Sequence, residues 1–288
     1  MGVYGDLGVI QKALEDVKPH IAFNLLEEFH GYSLFDQHVV SYLELRSQKY
    51  TGCNPRGLTL AHDKALAKKI LAYHRIYLPR FAVFPINRKV RRPDWLGFPL
   101  LVKSLSEEGS VAISRASLVY DDDKLAERVE FVHRQTTTHA IAEQYIEGRE
   151  LYVAVLGNER LQAFHPWELF LDKLPEGAPL IATMKVKWDY KYQEKVGVVT
   201  KAAQLSPELS SYVKKLSKRI YRLLHLSGYA RLDYRLTDDG KLFMLEANPN
   251  PNISDGEDFA ASALKAGNTY EMLLQKIITL GLSYKRSF

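Results

Sequence analysis

GYARLDYRLTDDGKLFMLEANPNPNIS, residues 228–254, reads as a β-hairpin carrying acids that a solvated hairpin would not need. Ala230, Leu232, Tyr234 and Leu236 alternate with Arg231, Asp233 and Arg235, the period of a half-buried strand. Asp239-Gly240 is a two-residue turn signal, and Lys241 to Asn248 forms the return strand. With that turn setting the register, Asp233 lies opposite Glu246 and Arg231 opposite Asn248. Both pairs share one face, because strand side chains repeat every two residues. Two facing carboxylates repel, and a bound cation removes the penalty. Asp, Glu and an Asn carbonyl are oxygen ligands, which suits Mg²⁺ rather than zinc or copper. Pro249 and Pro251 then forbid further ladder bonds and stiffen the exit. The plain alternative is a surface hairpin with an acidic edge.

Working outward, the 288 residues suggest one or two domains, and 46% hydrophobic content supplies a sizeable core. Net charge is 39 − 34 = +5 with a pI near 9.0, which favours anionic ligands, nucleotides included, without singling out nucleic acid. The single cysteine, Cys53, excludes an internal disulfide and fits a reducing compartment, so a cytoplasmic location is expected. No apolar run is long enough to span a bilayer and no signal peptide is evident, so no membrane partner is expected. The histidines show no metal spacing such as HExxH. There is no Gly-x-Ser-x-Gly elbow and no Walker loop. If the chain binds a nucleotide, it must therefore use another architecture.

Leu7–Val17, Phe35–Leu45 and Thr59–Tyr73 read as helices and His20–Leu26 as a buried strand, an alternation that suggests a parallel α/β layer. Arg80–Pro85, Phe98–Lys103, His139–Ile146 and Arg149–Leu156 are strand candidates, and Asp121–Gln135 is helical. Ser206-Pro207-Glu208 opens a helix with a capping serine and a proline in its first turn. Asp258 to Leu280 is helical in two pieces, broken at Gly267-Asn268. Lys103 ends an apolar strand before Glu107-Glu108-Gly109-Ser110, where a lysine and loop N–H groups suit phosphate oxygens. A solvated strand end is the plain reading. Glu143 and Glu150 bracket a connection of the kind that meets a base and a ribose, or an ordinary charged hairpin. Lys185, Lys187, Lys191 and Lys195 interleave with Trp188, Tyr190 and Tyr192. That segment reads as a mobile phosphate-binding loop, a nucleic-acid surface or a solvated face.

Together these segments resemble the ATP-grasp superfamily, most closely its D-alanine–D-alanine ligase branch, over nearly the whole chain. AFNLLEEFHGYSLFDQHVVSYLEL and YTGCNPRGLTLAHDKALAKKIL look like the end of a first domain and the lead into the nucleotide-binding part. FPLLVK with EEGSVAIS looks like the phosphate lysine and glycine-serine loop, and AEQYIEGREL like the adenine–ribose hinge. RLDYRL with FMLEANPNP looks like the metal hairpin, the most specific match. The resemblance implies an α/β (α+β) ATP-grasp fold: a partial parallel α/β domain over residues 1–73, then subdomains over about 74–148 and 149–288 enclosing the nucleotide. It implies Lys103 on ATP phosphates, and Lys187 (or Lys191) as a second phosphate lysine. Glu143 and the backbone near Tyr145 and Ile146 fall on adenine, and Glu150 on ribose. Ser110 falls in the closing loop, Asp233, Glu246 and Asn248 on two Mg²⁺ ions (Mn²⁺ as alternative), and Arg231 on the acyl-phosphate and tetrahedral intermediate. The chain departs from the branch in having Gly109 where a first loop serine is usual. Trp188 replaces a tyrosine, Asn252 replaces a glycine, and the first-domain glutamate that orients D-alanine is missing.

The implied activity is ATP-dependent, ADP-forming carboxylate–amine ligation through an acyl-phosphate, with small-molecule acid and amine substrates, no nucleic acid partner, and a homodimer left open. The alternatives are an ATP-grasp enzyme with a non-amine acceptor and a non-catalytic module binding ATP or nucleic acid.

Overall fold

The computed structural model describes residues 2–3, 5–107, 112–175 and 179–286. The chain opens with helices α1 (Leu7–Val17), α2 (Asp36–Leu45), α3 (Pro55–His62) and α4 (Lys64–Tyr73). One helix was expected over 59–73, but Asp63 divides it. Its backbone is extended and its side chain accepts from Leu66 N, capping α4. The strand expected over 20–26 is reduced to one parallel bridge, Ala22 with Tyr50. There Asn24 and Thr51 side chains take up local N–H groups: Leu26 N donates to Asn24 Oδ1 and Asn24 N to Thr51 Oγ1. Such side-chain bonds compete with a strand ladder.

Two antiparallel sheets follow. The first holds β1 (Phe81–Phe84), β2 (Leu100–Ser104), β3 (Leu118–Val119) and β4 (Ala140–Gln144) in the order β1-β4-β2-β3. Before β4 comes α5 (Asp122–Thr136), whose Leu125, Val129 and Val132 recur at helical spacing and pack on Leu100, Val102 and Ala142. The second sheet starts with β5 (Arg149–Leu156), β6 (Gln162–Ala163) and β7 (Trp167–Leu171). Short helices α6 (Met184–Trp188) and α7 (Tyr190–Val196) lead to β8 (Val198–Ala202), and α8 (Pro207–Leu223) to β9 (Tyr229–Leu236) and β10 (Leu242–Asn248). The strand order is β10-β9-β5-β7-β8. As expected, Ser206 caps α8 ahead of Pro207, and the C-terminal helix is two, α9 (Asp258–Lys265) and α10 (Tyr270–Ser283).

β4 and β5 are consecutive yet belong to different sheets, so residues 145–148 cross from one to the other rather than turning a hairpin. One face of the second sheet buries Leu151, Val153, Ala230, Leu232 and Tyr234 against α8 and against α3 and α4, so the N-terminal helices share its core. Near the strand ends the opposite face packs Ala154, Leu156 and Tyr229 on Phe259 and Ala260. Farther along that face, Asp233 and Arg235 look toward the first sheet.

The hairpin turn differs from expectation. Thr237 N donates to Lys241 O, so the loop holds three residues, Asp238 to Gly240, with Gly240 at φ 81°. That alone shifts the pairing by one residue: Leu242 faces Leu236 and Met244 faces Tyr234. A β-bulge between Met244 and Glu246 shifts it back, and beyond it Glu246 faces Asp233 and Asn248 faces Arg231. The two departures cancel at the residues that matter.

Gly148, in the crossing segment, has φ +136°, and a Cβ there would lie 2.2 Å from Leu236 O. Gly148→Ala is therefore expected to destabilise the chain by about 2–4 kcal/mol in chemical denaturation, through backbone strain joined to a backbone clash.

Candidate active site

The two sheets flank a cleft that opens to solvent, with about 510 Å³ of free space including its open mouth. Its walls include Lys103, Tyr145, Glu150, Lys187, Asp233, Arg235 and Glu246, with Leu101, Ile113, Ile181 and Leu245 as apolar lining. Apolar walls with a few convergent polar groups are the usual form of a small-molecule site.

Lys103 reaches the cleft from β2. Its Nζ lies 3.2 Å from Glu143 Oε2 and 3.9 Å from Glu246 Oε2, so it bridges the sheets. Burial alone would depress its pKa, but Glu143 and then Glu246 outweigh burial, and the net shift is upward. Glu143 also faces Lys68 of α4, whose Nζ is 3.4 Å from Oε1 and donates to Leu245 O at 2.8 Å. Both Glu143 oxygens therefore face lysines, and the carboxylate lies beneath the cleft rather than along its wall. Glu246 is the more open member, with 28% side-chain exposure. Burial pushes its pKa up, but Lys103, Lys64, Lys187 and Arg231 surround it and hold it at about 2.

At the other end, Arg231 donates twice to Asp233, both bonds at 2.8 Å, with its guanidinium 4.6 Å from the Tyr152 ring centroid. Burial disfavours the Arg231 charge, yet Asp233 more than compensates and its pKa lies well above the usual value. The Tyr152 hydroxyl donates to Glu150 Oε1, and Arg235 Nη2 donates to Glu150 Oε2 at 2.7 Å. Burial, then the Glu150 charge, keeps the Tyr152 phenol protonated. Arg235 also donates to Gly148 O and Leu180 O, and Tyr145 OH to Leu180 O, which ties the crossing segment to residue 180.

The structure thus gathers Lys103, Tyr145, Glu150, Lys187, Asp233 and Glu246 at one cleft, with Arg231 bound to Asp233 and Ile146 buried in the crossing segment. Asn248 shares the Asp233 face by register, and its Oδ1 accepts from Asn250 N. Of the 185–195 lysines, Lys187 is the one among the described residues lining the cleft. Lys185 stacks over Tyr192 instead. Ser110 and Gly109 lie outside the described residues. On either side of residues 108–111, Lys64 Nζ donates to Glu107 O at 2.6 Å, and Arg128 donates to Ala112 O and Ser117 Oγ.

Sequence reasoning missed Lys64, Lys68, Tyr152 and Arg235. Lys64 and Lys68 stand four apart among alanines and leucines, which looks like an ordinary amphipathic helix, yet both are buried. Arg235 was legible, since it shares the strand parity of Arg231 and Asp233.

Among the described residues, no three or more His, Cys, Asp and Glu side chains cluster as a metal cage. The donor set is two carboxylates and one amide oxygen. This fits Mg²⁺, which commonly takes one or two carboxylates and completes its shell with phosphate and water.

Two antiparallel sheets closing on a cleft of lysines and paired carboxylates define an ATP-grasp protein. The model of the family described as D-ala D-ala ligase C-terminus matches residues 74–279. The D-alanine–D-alanine ligase of Nitratidesulfovibrio vulgaris is 32% identical over 88% of this chain and 78% of its own. An uncharacterized protein, y4sG, of Sinorhizobium fredii is 30% identical over 93% of this chain and 76% of its own. The crystal structure of D-alanine–D-alanine ligase from Bacillus anthracis complexed with ATP superposes with a TM-score of 0.75 at 26% identity, covering 94% of this chain and 82% of that one. The chain belongs to the D-alanine–D-alanine ligase family.

Burial pushes the Lys68 pKa down to about 8, against pull from Glu143. The unfolded chain keeps that proton up to about 10.5, so between these values the unfolded state binds more protons and stability rises with pH. Unfolding free energy measured from pH 8 to 10.5 should gain about 2–3 kcal/mol from this group, and Lys68→Met should lose that gain.

Proposed function

We propose that this cleft activates a small carboxylic acid with ATP and passes its acyl group to a small amine. As a member of its family the chain is an ATP-dependent, ADP-forming ligase of carbon–nitrogen bonds. The carrying observation is the convergence of phosphate-seeking cations, Lys103 and Lys187, with paired carboxylates, Asp233 and Glu246, beside Arg231. D-alanine, the substrate in the names of relatives, is the reference acid and amine.

Lys103 and Lys187 take phosphate oxygens, and we assign Ser110, which lies outside the described residues, to the same phosphates by the family resemblance alone. Tyr145, Ile146 and their backbone receive adenine, and Glu150 accepts from ribose hydroxyls. We assign Glu143 to holding Lys103 rather than to adenine, because lysines face both of its oxygens. Asp233, Glu246 and Asn248 would hold magnesium, which neutralises charge on the phosphate oxygens. The boundary between nucleotide-binding and catalytic subdomains falls at Gly148, where the chain changes sheets.

The acid's carboxylate oxygen attacks the γ-phosphorus and the bond to the bridging oxygen breaks, releasing ADP and leaving an acyl-phosphate. The amine lone pair then attacks the acyl carbon, the tetrahedral oxyanion collapses, inorganic phosphate leaves, and the ammonium loses a proton. Arg231, fixed by Asp233 and stacked on Tyr152, donates to the acyl oxygen as its charge grows. The protein supplies positioning and charge compensation, so no side-chain nucleophile is required. A buried lone cysteine and the demand for ATP suit the cytoplasm as the place of work.

ADP release, assayed with MgATP across a panel of amino acids and small carboxylates, should require an acid and an amine together and yield an amide with inorganic phosphate. Asp233→Asn, Glu246→Gln and Arg231→Met should each lower kcat/KM by about 10²–10³-fold. Arg231→Lys should restore little, because one ammonium does not reproduce the two-point hold of a guanidinium. Turnover unchanged in Asp233→Asn and Glu246→Gln would reject the mechanism.

A further inference from the structure

The cleft-facing carboxylate of β10 depends on a register correction that β10 does not make alone. On β9 the cleft side is odd-numbered, carrying Arg231, Asp233 and Arg235, and the even positions Leu232 and Tyr234 enter the core. From the turn to Met244, β10 pairs so that Met244 faces Tyr234 and is buried with it. Continued without interruption, that pairing would set Leu245 opposite Asp233 and Glu246 opposite Leu232. A one-residue slip moves every side chain to the other face. Glu246 would enter an apolar core and Asn248 would follow it away from the cleft. The bulge prevents this by placing Leu245 and Glu246, neighbours in sequence, on the same cleft wall.

A bulge takes a residue out of the ladder, and its backbone groups then need partners elsewhere. β10 is the edge strand of its sheet, so among the described residues no further strand fixes it from outside. Two contacts from the segment around α4 do. Met244 N donates to Tyr77 O at 2.9 Å, and Leu245 O accepts from Lys68 Nζ at 2.8 Å. Lys68 is 2% exposed, an unusual place for an ammonium. Its other near oxygen is Glu143 Oε1, whose mate holds Lys103, and Lys103 in turn approaches Glu246. The contacts close a ring from Lys68 through the Leu245 carbonyl and the backbone to Glu246, then through Lys103 and Glu143 back to Lys68.

We infer that Lys68 is a positioning residue that pins the β10 bulge and so aims Glu246 and Asn248 into the nucleotide cleft. The inference rests on the proposed reading of those two residues as magnesium ligands. Lys68 touches neither nucleotide nor metal. It acts by fixing one carbonyl and one carboxylate, both within reach of a single ammonium. Outer partners of this kind commonly change metal affinity by about 10–100-fold when removed.

Calorimetric titration of the full chain with ATP, with and without magnesium chloride, tests this without turnover. In the unsubstituted chain magnesium should tighten ATP binding. In Lys68→Met that gain should fall by about tenfold or more, with metal-free ATP binding changed by less than about threefold. Lys68→Arg keeps the charge opposite Glu143, but its wider head does not place one nitrogen on both acceptors, so it too should lose most of the magnesium response. Should Lys68→Met fail to fold, Lys68→Arg carries the test. Equal loss with and without magnesium, or a normal response in Lys68→Arg, would reduce Lys68 to a counter-charge and overturn the inference. ATP binding indifferent to magnesium in the unsubstituted chain would instead overturn the metal-face reading, and the inference with it.

Discussion

Four charges meet under the cleft: Lys68, Lys103, Glu143 and Glu246. Their sum is zero, which makes their burial tolerable, since an isolated buried ion is far more expensive than a compensated one. They come from α4, β2, β4 and β10, so one electrostatic group joins the N-terminal helices, the first sheet and the edge of the second. Glu143 is the pivot, because of the two carboxylates in this group it is the one within ion-pair distance of both lysines. Lys103 and Glu246 form the loosest contact at 3.9 Å, and Glu246 is the most solvent-open member. In the proposed reading, a polyphosphate entering the cleft would meet Lys103, held by Glu143 at 3.2 Å and only loosely by Glu246, and a Glu246 carboxylate free to turn to a cation. The tight part of the group builds the floor, and the loose part lies at the cleft.

This changes the reason for expecting a metal. Two carboxylates facing each other across a hairpin suggest a cation by repulsion alone. In the folded chain Asp233 is neutralised by a two-point bond to Arg231 and Glu246 by the field of Lys103, Lys64 and Lys187. Repulsion is already answered within the protein. Magnesium is favoured instead by the donor types, hard oxygens on one face, and by the neighbouring lysines that would bring a phosphate to share it.

Legibility followed the range of the signal. Period-two alternation showed the two faces of β9 directly, and side chains with an unambiguous parity, Arg231 and Asp233, were placed from it. Thr237–Lys241 was less transparent, because a two-residue and a three-residue turn both accept Asp-Gly. The bulge at Leu245 was invisible, since Leu245-Glu246 reads equally well on either parity. The pairing of Asp233 with Glu246 emerged correctly because the turn and the bulge err by one residue in opposite directions. Asp63 divided a helix that composition joined, because a capping carboxylate is a single residue inside a uniform Ala-Leu-Lys background. Lys68 was out of reach, because its acceptors, at Leu245 and Glu143, lie far along the chain and only tertiary packing brings them together.

The crossing at residues 145–148 shows what such long-range closure accomplishes. Two strands adjacent in sequence look like a hairpin, and hairpins are the cheapest β connection because their loops are short. Here the chain instead leaves one sheet and enters the other within four residues, aided by the positive φ of Gly148. A short, tied link keeps the two sheets close, and Arg235 fixes it by donating to Gly148 O and Glu150. Glu150 is held in turn by Tyr152, and the Tyr152 ring supports Arg231. Glu150, where ribose is expected, and Arg231, expected to meet the acyl oxygen, are thereby joined by a chain of contacts through one aromatic ring. The hinge and the chemistry share a framework because the same strand, β5, carries both Glu150 and Tyr152.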